Sequence, residues 1–385
     1  MRETSVGRVE PPATDLVRSG RSDAPVKSRR TFLLALLGVL LVVPLGAEGL
    51  LRAWLRIQNG DWPTAEATRR FEDARIVREL YRARPFLGAG PREGAQVESH
   101  GRRAGFNRLG YRSPERAREK PAGTKRIVTA GGSTTFDLLS PSNEQSWPWR
   151  LEETLRERDP NVEVWNAGFP GWTSLENLVS LASRDVDLQP DVVVLYQGIN
   201  DLQPAAADSS DATYEQSHYP LHRRALGLDA EPPGLLERSL VLERLRGLRT
   251  DGAGPPRSSQ PRLPDRARAS FERNVRSFVA VATAHGAQVL LVTQPLRIRR
   301  DHAQADREYV ESWIPNISAD DAVAWLAELN DVLRRLASGG GVALADAARE
   351  VDWQDGDFAD PMHYTRPGAD KLRAYLAGSI LAGMP

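Results

Sequence analysis

RIVTAGGSTT, residues 126–135, opens with a short β-branched run, Arg126 to Ala130, and breaks at Gly131 and Gly132 into a turn that presents Ser133. Runs of the same kind follow: VEVWN (162–166), DVVVLY (191–196), AQVLLVT (287–293) and VALAD (342–346). Longer amphipathic segments separate them, at about 145–158, 172–187, 265–286 and 319–337, with a last one at about 366–382. Short apolar runs bounded by turn residues read as strands buried on both faces, and the segments between them read as helices. Strand, helix, strand repetition implies right-handed crossovers. The expectation is an α/β fold with a five-stranded parallel sheet covered on both faces.

In such a sheet, ligands bind outside the carboxyl ends of the strands. The first strand ends in Gly131, Gly132 and Ser133, a turn that serves a helix cap, a phosphate-binding loop or a nucleophile equally well. A Walker loop would need a Gly-Lys-Ser/Thr ending, and this turn has no lysine. The second strand runs into NAGFPGWTS (166–174), where two glycines around a proline can expose a backbone N–H. The third ends in Gly198, Ile199, Asn200 and Asp201, and Asn200 brings a side-chain amide to the same edge, as an oxyanion donor or as a turn cap. Of the six histidines, His100, His218, His222, His285, His302 and His363, only His363 combines a late strand-end position with an aspartate, Asp360, three residues before it. That spacing lets a carboxylate fix the imidazole tautomer. A surface pair and half of a metal site are the alternatives, but no second histidine or carboxylate cluster lies at ligand spacing nearby.

Taken in order over residues 126–383, these four blocks resemble the SGNH/GDSL hydrolase superfamily. GGST is similar to its nucleophile block, NAGFPGWTS to its glycine block, GIND to its asparagine block and DPMH to its Asp-x-x-His block. The resemblance implies a flavodoxin-like three-layer sandwich and a serine esterase with Ser133 as nucleophile and His363 with Asp360 completing the triad. It also implies an oxyanion hole formed by the Ser133 N–H, the Gly171 N–H and the Asn200 side chain, with Gly168 the weaker choice in the glycine block. No cofactor and no metal are implied. Gly132 departs from the aspartate of the family's name motif, which bears on substrate more than on catalysis. The substrate expected is a small ester or an acylated glycan. An O-acetyltransferase using the same residues and a non-catalytic glycan-binding assembly protein are the competing functions. Trp147, Trp149 and Trp172 are candidates for a sugar-stacking platform or for core, and Gln294 is a candidate for the pocket edge. Arg297, Arg299 and Arg300 either meet an acidic substrate or lie on a solvated turn.

The chain has 385 residues, with 51 basic and 51 acidic side chains, so no whole-molecule field favours nucleic acid. Cysteine is absent, which removes disulfides, thiolate ligands, a cysteine nucleophile and a lipid-bearing cysteine. Only four of the 51 basic residues are lysine, a bias we read as codon composition of a bacterial genome. Phe32 to Ala47 carries no charge and, as a helix, covers roughly 24 Å of a hydrocarbon core of about 30 Å. The span completes itself if the helix runs to Leu55, with Glu48 and Arg52 paired at i,i+4 and Trp54 as an interfacial anchor. Lys27, Arg29 and Arg30 precede the run, so the positive-inside rule leaves residues 1–30 as a disordered cytoplasmic tail and places the bulk of the chain outside the inner membrane, in the periplasm. A cleaved signal peptide and a buried core helix are the alternatives, the first disfavoured because a cut after Ala47 puts Leu45 where a small residue is wanted. The expected organisation is therefore a tail (1–30), a transmembrane signal anchor (31–55), a stalk (56–124) with a short helix over 65–84, and a hydrolase domain (125–385). The last carries an insertion at about 203–264, with a short helix near 235–248. Oligomeric state is not legible in the sequence.

Overall fold

The structure is a computed structural model and describes residues 26–59, 62–65, 77–99, 101–206, 232–250, 260–314 and 316–383. Residues 1–25 of the expected tail and most of the insertion, 207–231 and 251–259, lie outside the described residues. The chain divides into two compact units, one made of residues 1–65 with Ser239–Leu248 and the other of 66–238 with 249–385.

In the first unit, helix α1 runs from Val26 to Asn59, so the last five residues assigned to the tail are helical. Its segment Arg29–Gln58 is long and apolar enough to cross a membrane or to serve as a signal sequence. Pro44 lies inside it, a residue that membrane helices tolerate better than soluble ones.

The second unit begins with two antiparallel ribbons, β1 (Tyr81–Arg84) with β2 (Gly88–Pro91) and β3 (Gln96–Ser99) with β4 (Arg102–Gly105). A five-stranded sheet follows: β5 (Lys125–Gly131), β6 (Val162–Asn166), β7 (Val192–Tyr196), β8 (Gln288–Val292) and β9 (Ala343–Ala345). Its order is β6-β5-β7-β8-β9 and every pairing is parallel. This is the flavodoxin-like order, whose direction reverses between β5 and β7. The expected strands are all present within a residue or two.

Alternate side chains along the strands face opposite layers, as period-two geometry requires. Val193, Leu195 and Leu291 pack on one side with Phe271, Val275 and Phe278 of α7 (Asp265–Ala284) and with Trp325 and Leu329 of α9 (Ala319–Ser338). Val192, Val194 and Tyr196 face Leu151 of α3 (Trp147–Arg156) and Leu372 and Leu376 of α11 (Arg366–Gly383) on the other. Helix α4 (Ser174–Ser183) opens with a capping box, Thr173 with Glu176, and joins the first layer through Leu181. Among the described residues, further helices are α2 (Ser133–Phe136), α5 (Leu202–Ala206), α6 (Leu240–Thr250), α8 (Ala303–Trp313) and α10 (Ala347–Glu350).

Residues 77–124 do not behave as a stalk. Tyr81 and Ala89 of the ribbons, with Phe106 just after β4, are buried with Phe136, Phe169 and Trp172 beside the five-stranded sheet, and the expected helix over 65–84 gives way to strand at Tyr81. Tyr111 donates to Asp185 Oδ1 at 2.8 Å. Arg112 is buried to the guanidinium: Nη1 donates to Phe136 O (2.7 Å) and Asp137 O (2.8 Å), Nη2 to Ser142 O (3.1 Å) and Nε to Asn143 Oδ1 (2.9 Å). The group lies 4.4 Å over the Phe136 ring. Burial lowers its pKa to about 10, against the favourable charge of Asp137, and it stays protonated at neutral pH. Phe136 and Asp137 end the helix that starts at Ser133, so a residue of the amino-terminal segment caps the turn on which the site is built. Arg112→Ala would strand these acceptors and open a cavity. A loss of about 3–5 kcal/mol is expected, read as a fall in the urea midpoint, with Arg112→Lys recovering little because an ammonium lacks the fork of donors.

Candidate active site

Ser133 leaves β5 at a turn that only glycine can make on its inner side. A Cβ on Gly131 would strike Thr135 Oγ1 and the Tyr196 carbonyl of the neighbouring strand, and one on Gly132 would strike Asn200 Nδ2. The departure from the family's aspartate thus coincides with an amide packed directly on the residue before the serine. The short α2 is held at its far end by donors from outside it: the Trp147 indole donates to Thr134 O (2.8 Å), and Arg112 to Phe136 O. Asp137 closes it in the left-handed region, φ 64°, with its carboxylate accepting from Trp147 N–H at 2.9 Å. Burial raises the Asp137 pKa, opposed by the Trp147 N–H and by the charges of Arg112, His363 and Arg150.

His363 arrives from the other end of the sequence and closes a relay. Its Nε2 lies 2.8 Å from Ser133 Oγ and its Nδ1 lies 2.8 Å from Asp360 Oδ2. Asp360 Oδ1 accepts the backbone N–H groups of Met362 and His363, each at 2.9 Å, so both carboxylate oxygens are committed. Ser133 and His363 are only 8% and 6% exposed, and water competes weakly for these bonds. The loop that carries Asp360 and His363 is clamped from the segment after β8. Arg297 N–H donates to Pro361 O (2.9 Å), and Arg299 Nη1 donates to Ala359 O (2.7 Å) while its other guanidinium nitrogens pair with Asp306. Arg297 pairs with Asp355 at 2.5 Å, and Arg300 N–H donates to the same carboxylate. These two arginine side chains are therefore engaged with the protein's own acids, and the sequence expectation of an acidic substrate finds no support in them.

Gly171 adopts φ 82° and is partly exposed beside the serine turn, and among the described residues its N–H has no acceptor. The N–H of Gly168 is taken by Asn166 Oδ1 at 2.9 Å, which separates the two glycines as donors. Asn200 Nδ2 donates one hydrogen to Trp172 O at 2.8 Å and has a second to give. Trp172 itself is 1% exposed, with its indole donating to Ala89 O at 2.9 Å. It is core rather than a stacking platform, because the ribbon β1-β2 covers it. Trp147 is buried likewise. Gln294 is 1% exposed and lines a small cavity with Pro295, Leu296, Leu326 and Asn330, and its amide is spent on the protein: Nε2 donates to Thr134 Oγ1 (3.0 Å) and Oε1 accepts from Ile199 N–H (3.0 Å), bridging the residues beside Ser133 and Asn200. Among the described residues no group of three histidines or carboxylates could hold a metal.

Asp201 is the tie that the sequence reading left without a role. Its carboxylate accepts from Ser174 N–H (3.1 Å), Ser174 Oγ (2.6 Å) and Gln197 Nε2 (2.8 Å), fastening the end of the glycine block to the asparagine block. Burial pushes its pKa up to about 6, although these hydrogen bonds favour the carboxylate. A carboxyl whose folded pKa lies above the unfolded one makes the fold less stable as pH rises between the two values, here from about 4 to about 6. The expected result is a urea midpoint whose difference from Asp201→Asn changes across that window and is flat above it.

Residues 128–371 match the GDSL-like lipase/acylhydrolase family. No curated protein is significantly similar in sequence. Among solved structures, a GDSL-like lipase from Bacteroides thetaiotaomicron is 15% identical, covering 69% of this chain and 93% of its own, with a TM-score of 0.40. A lipase/acylhydrolase from Enterococcus faecalis is 17% identical over 67% of this chain and 96% of its own, at 0.42. An acetylxylan esterase of Geobacillus stearothermophilus is 14% identical over 69% and 98%, at 0.41. With more than half of its length matched, four blocks in order and the parallel sheet beneath them, the chain belongs to the GDSL-like lipase/acylhydrolase family and is a hydrolase acting on esters.

Proposed function

We propose that the protein is a membrane-anchored serine esterase that removes O-acyl groups, acetyl foremost, from surface or exported polysaccharide. The continuous relay from Ser133 Oγ through His363 to Asp360 carries the chemical part of this reading. Ser133 Oγ attacks the acyl carbonyl as His363 Nε2 takes its proton, and Asp360 holds the imidazolium that forms. The N–H groups of Ser133 and Gly171 and the amide of Asn200 receive the charge that grows on the carbonyl oxygen. The imidazolium then protonates the departing alcohol, leaving an acyl-Ser133 ester, which water opens by the same steps in reverse. The location outside the inner membrane is supported by the basic residues Lys27, Arg29 and Arg30 in the first turns of α1, ahead of its apolar run, and by the length of that run.

Replacing Asn200 by Ala is expected to lower kcat about 10²–10³-fold with a smaller change in KM, because the donor is called on only when the oxyanion forms. The whole reading is tested with the full chain in detergent micelles. A fluorophosphonate probe should label Ser133, and acetate should be released from an acetylated polysaccharide and from 4-nitrophenyl acetate. Acetyl transfer to a glycan outrunning acetate release would replace the esterase by an acyltransferase, and a folded protein that resists the probe would overturn serine catalysis.

A further inference from the structure

We infer that part of the insertion is a membrane-surface element: Ser239–Leu248 is held on the outer end of α1, and lipid headgroups are its partner. This rests on the reading of α1 as a retained anchor. From Thr31 to Leu50 the helix covers about 30 Å, the thickness of the hydrocarbon core, which brings Glu48 to its outer boundary.

A carboxylate so close to an apolar span needs partners, and Glu48 has more than the i,i+4 arginine. Besides Arg52 Nε (2.9 Å) it accepts from Ser239 Oγ (2.7 Å) and from the backbone N–H groups of Leu240 (2.9 Å) and Val241 (3.1 Å). Those N–H groups belong to the first turn of α6, where no carbonyl within the helix can reach them. Glu48 thus meets the positive end of a helix far away in the chain, while Ser239 Oγ accepts from Leu242 N–H at 3.2 Å as an ordinary cap. Below this polar clasp Leu240, 6% exposed, is buried with Leu55 and Ala65, and Leu51 packs against them.

Among the described residues beyond Glu48, five large apolar side chains of this unit are bare: Leu50 is 75% exposed, Trp54 56%, Ile57 79%, Trp62 64% and Leu245 52%. Arg56 lies 5.5 Å over the Trp62 ring. Tryptophan and arginine beside leucine and isoleucine, at the level where a spanning helix leaves the bilayer, is the composition of a headgroup layer contact, and α1 is continuous with it. On a retained α1, this contact straps Ser239–Leu248 to the bilayer.

The absence of cysteine makes the test clean. Full-length Leu245→Cys, labelled with bimane and reconstituted into phosphatidylcholine/phosphatidylglycerol vesicles, should lose fluorescence when the vesicles contain a lipid with a nitroxide near the headgroup. The loss should disappear in the Glu48→Ala background. In Leu51→Cys/Leu240→Cys, mild oxidation should join the two residues within one chain, which checks the clasp without weakening it. Protein that floats with the vesicles but shows neither quenching nor cross-link overturns the docking and leaves the anchor standing. Protein that does not float overturns the anchor and the docking with it. Quenching absent while the label is shielded in proportion to protein concentration overturns the lipid partner in favour of a second copy.

Discussion

Ser133→Ala should leave the protein folded and reduce ester hydrolysis about 10⁴- to 10⁶-fold. Removing Oγ deletes the only atom that bonds to the acyl carbon in the proposed reaction, so no acyl-enzyme can form. What persists is the activity of a site that still binds the ester and still offers the Gly171 and Asn200 donors to a water attacking directly. The fold should barely notice. Oγ contacts His363 Nε2 at 2.8 Å, while the turn is held by other groups: Thr135 Oγ1 on the Tyr196 carbonyl at 3.2 Å, the Trp147 indole on Thr134 O, and Arg112 on the last carbonyls of α2. The checks are kcat/KM for 4-nitrophenyl acetate beside the urea midpoint, and loss of fluorophosphonate labelling. A variant retaining more than about a hundredth of the activity would mean that another group attacks.

How much of this was legible in the sequence depends on how local each signal is. Strand β7 reads plainly because all five of its residues are buried, so its apolar run is unbroken. The four blocks read plainly because each is a few consecutive residues at one strand end, and the sheet order brings those ends together where its direction reverses between β5 and β7. The ribbons are another matter. GAGP and RRAG show no apolar alternation, and YRAR alternates over only four residues of which Tyr81 alone is buried; β1 and β2 are fixed by Tyr81, Ala89 and their contacts with Phe169 and Trp172, partners about eighty residues on in the chain. With the ribbons unseen, Trp172 stood open between stacking platform and core, and nothing in the sequence singled out Arg112. Helix α8 escaped notice for a similar reason: among its eleven residues only Asp306 and Val310 are buried, too few to write a stripe. Gln294 and Asp201 were visible as residues, but their roles consist of bonds between blocks, which no spacing within one block encodes.

The second large effect is expected of Asp360→Asn, and the reason lies in which oxygen does what. Oδ1 already receives two backbone N–H groups, from Met362 and His363. An asparagine would keep its carbonyl oxygen there, because turning the amide would set its hydrogens against those donors. The NH₂ is then left facing His363 Nδ1, where Oδ2 stood at 2.8 Å. Nδ1 must accept instead of donate, the neutral ring's proton moves to Nε2, and the nitrogen beside Ser133 Oγ can no longer take the hydroxyl proton. A loss of about 10⁴-fold in kcat follows for an almost unchanged shape. Acid stability gives an independent readout. Burial works against ionisation of Asp360, but the His363 side chain, its charge and the two backbone N–H groups outweigh it and hold the pKa below the ordinary aspartate value. A carboxyl depressed in this way adds stability above its unfolded pKa and loses it as pH falls through the folded one. The asparagine variant should therefore be less stable than the native protein at neutral pH, and the gap should narrow as the pH is lowered below about 4. If activity survives the substitution, the tautomer of His363 is set by some other acceptor and Asp360 serves only to shape the loop.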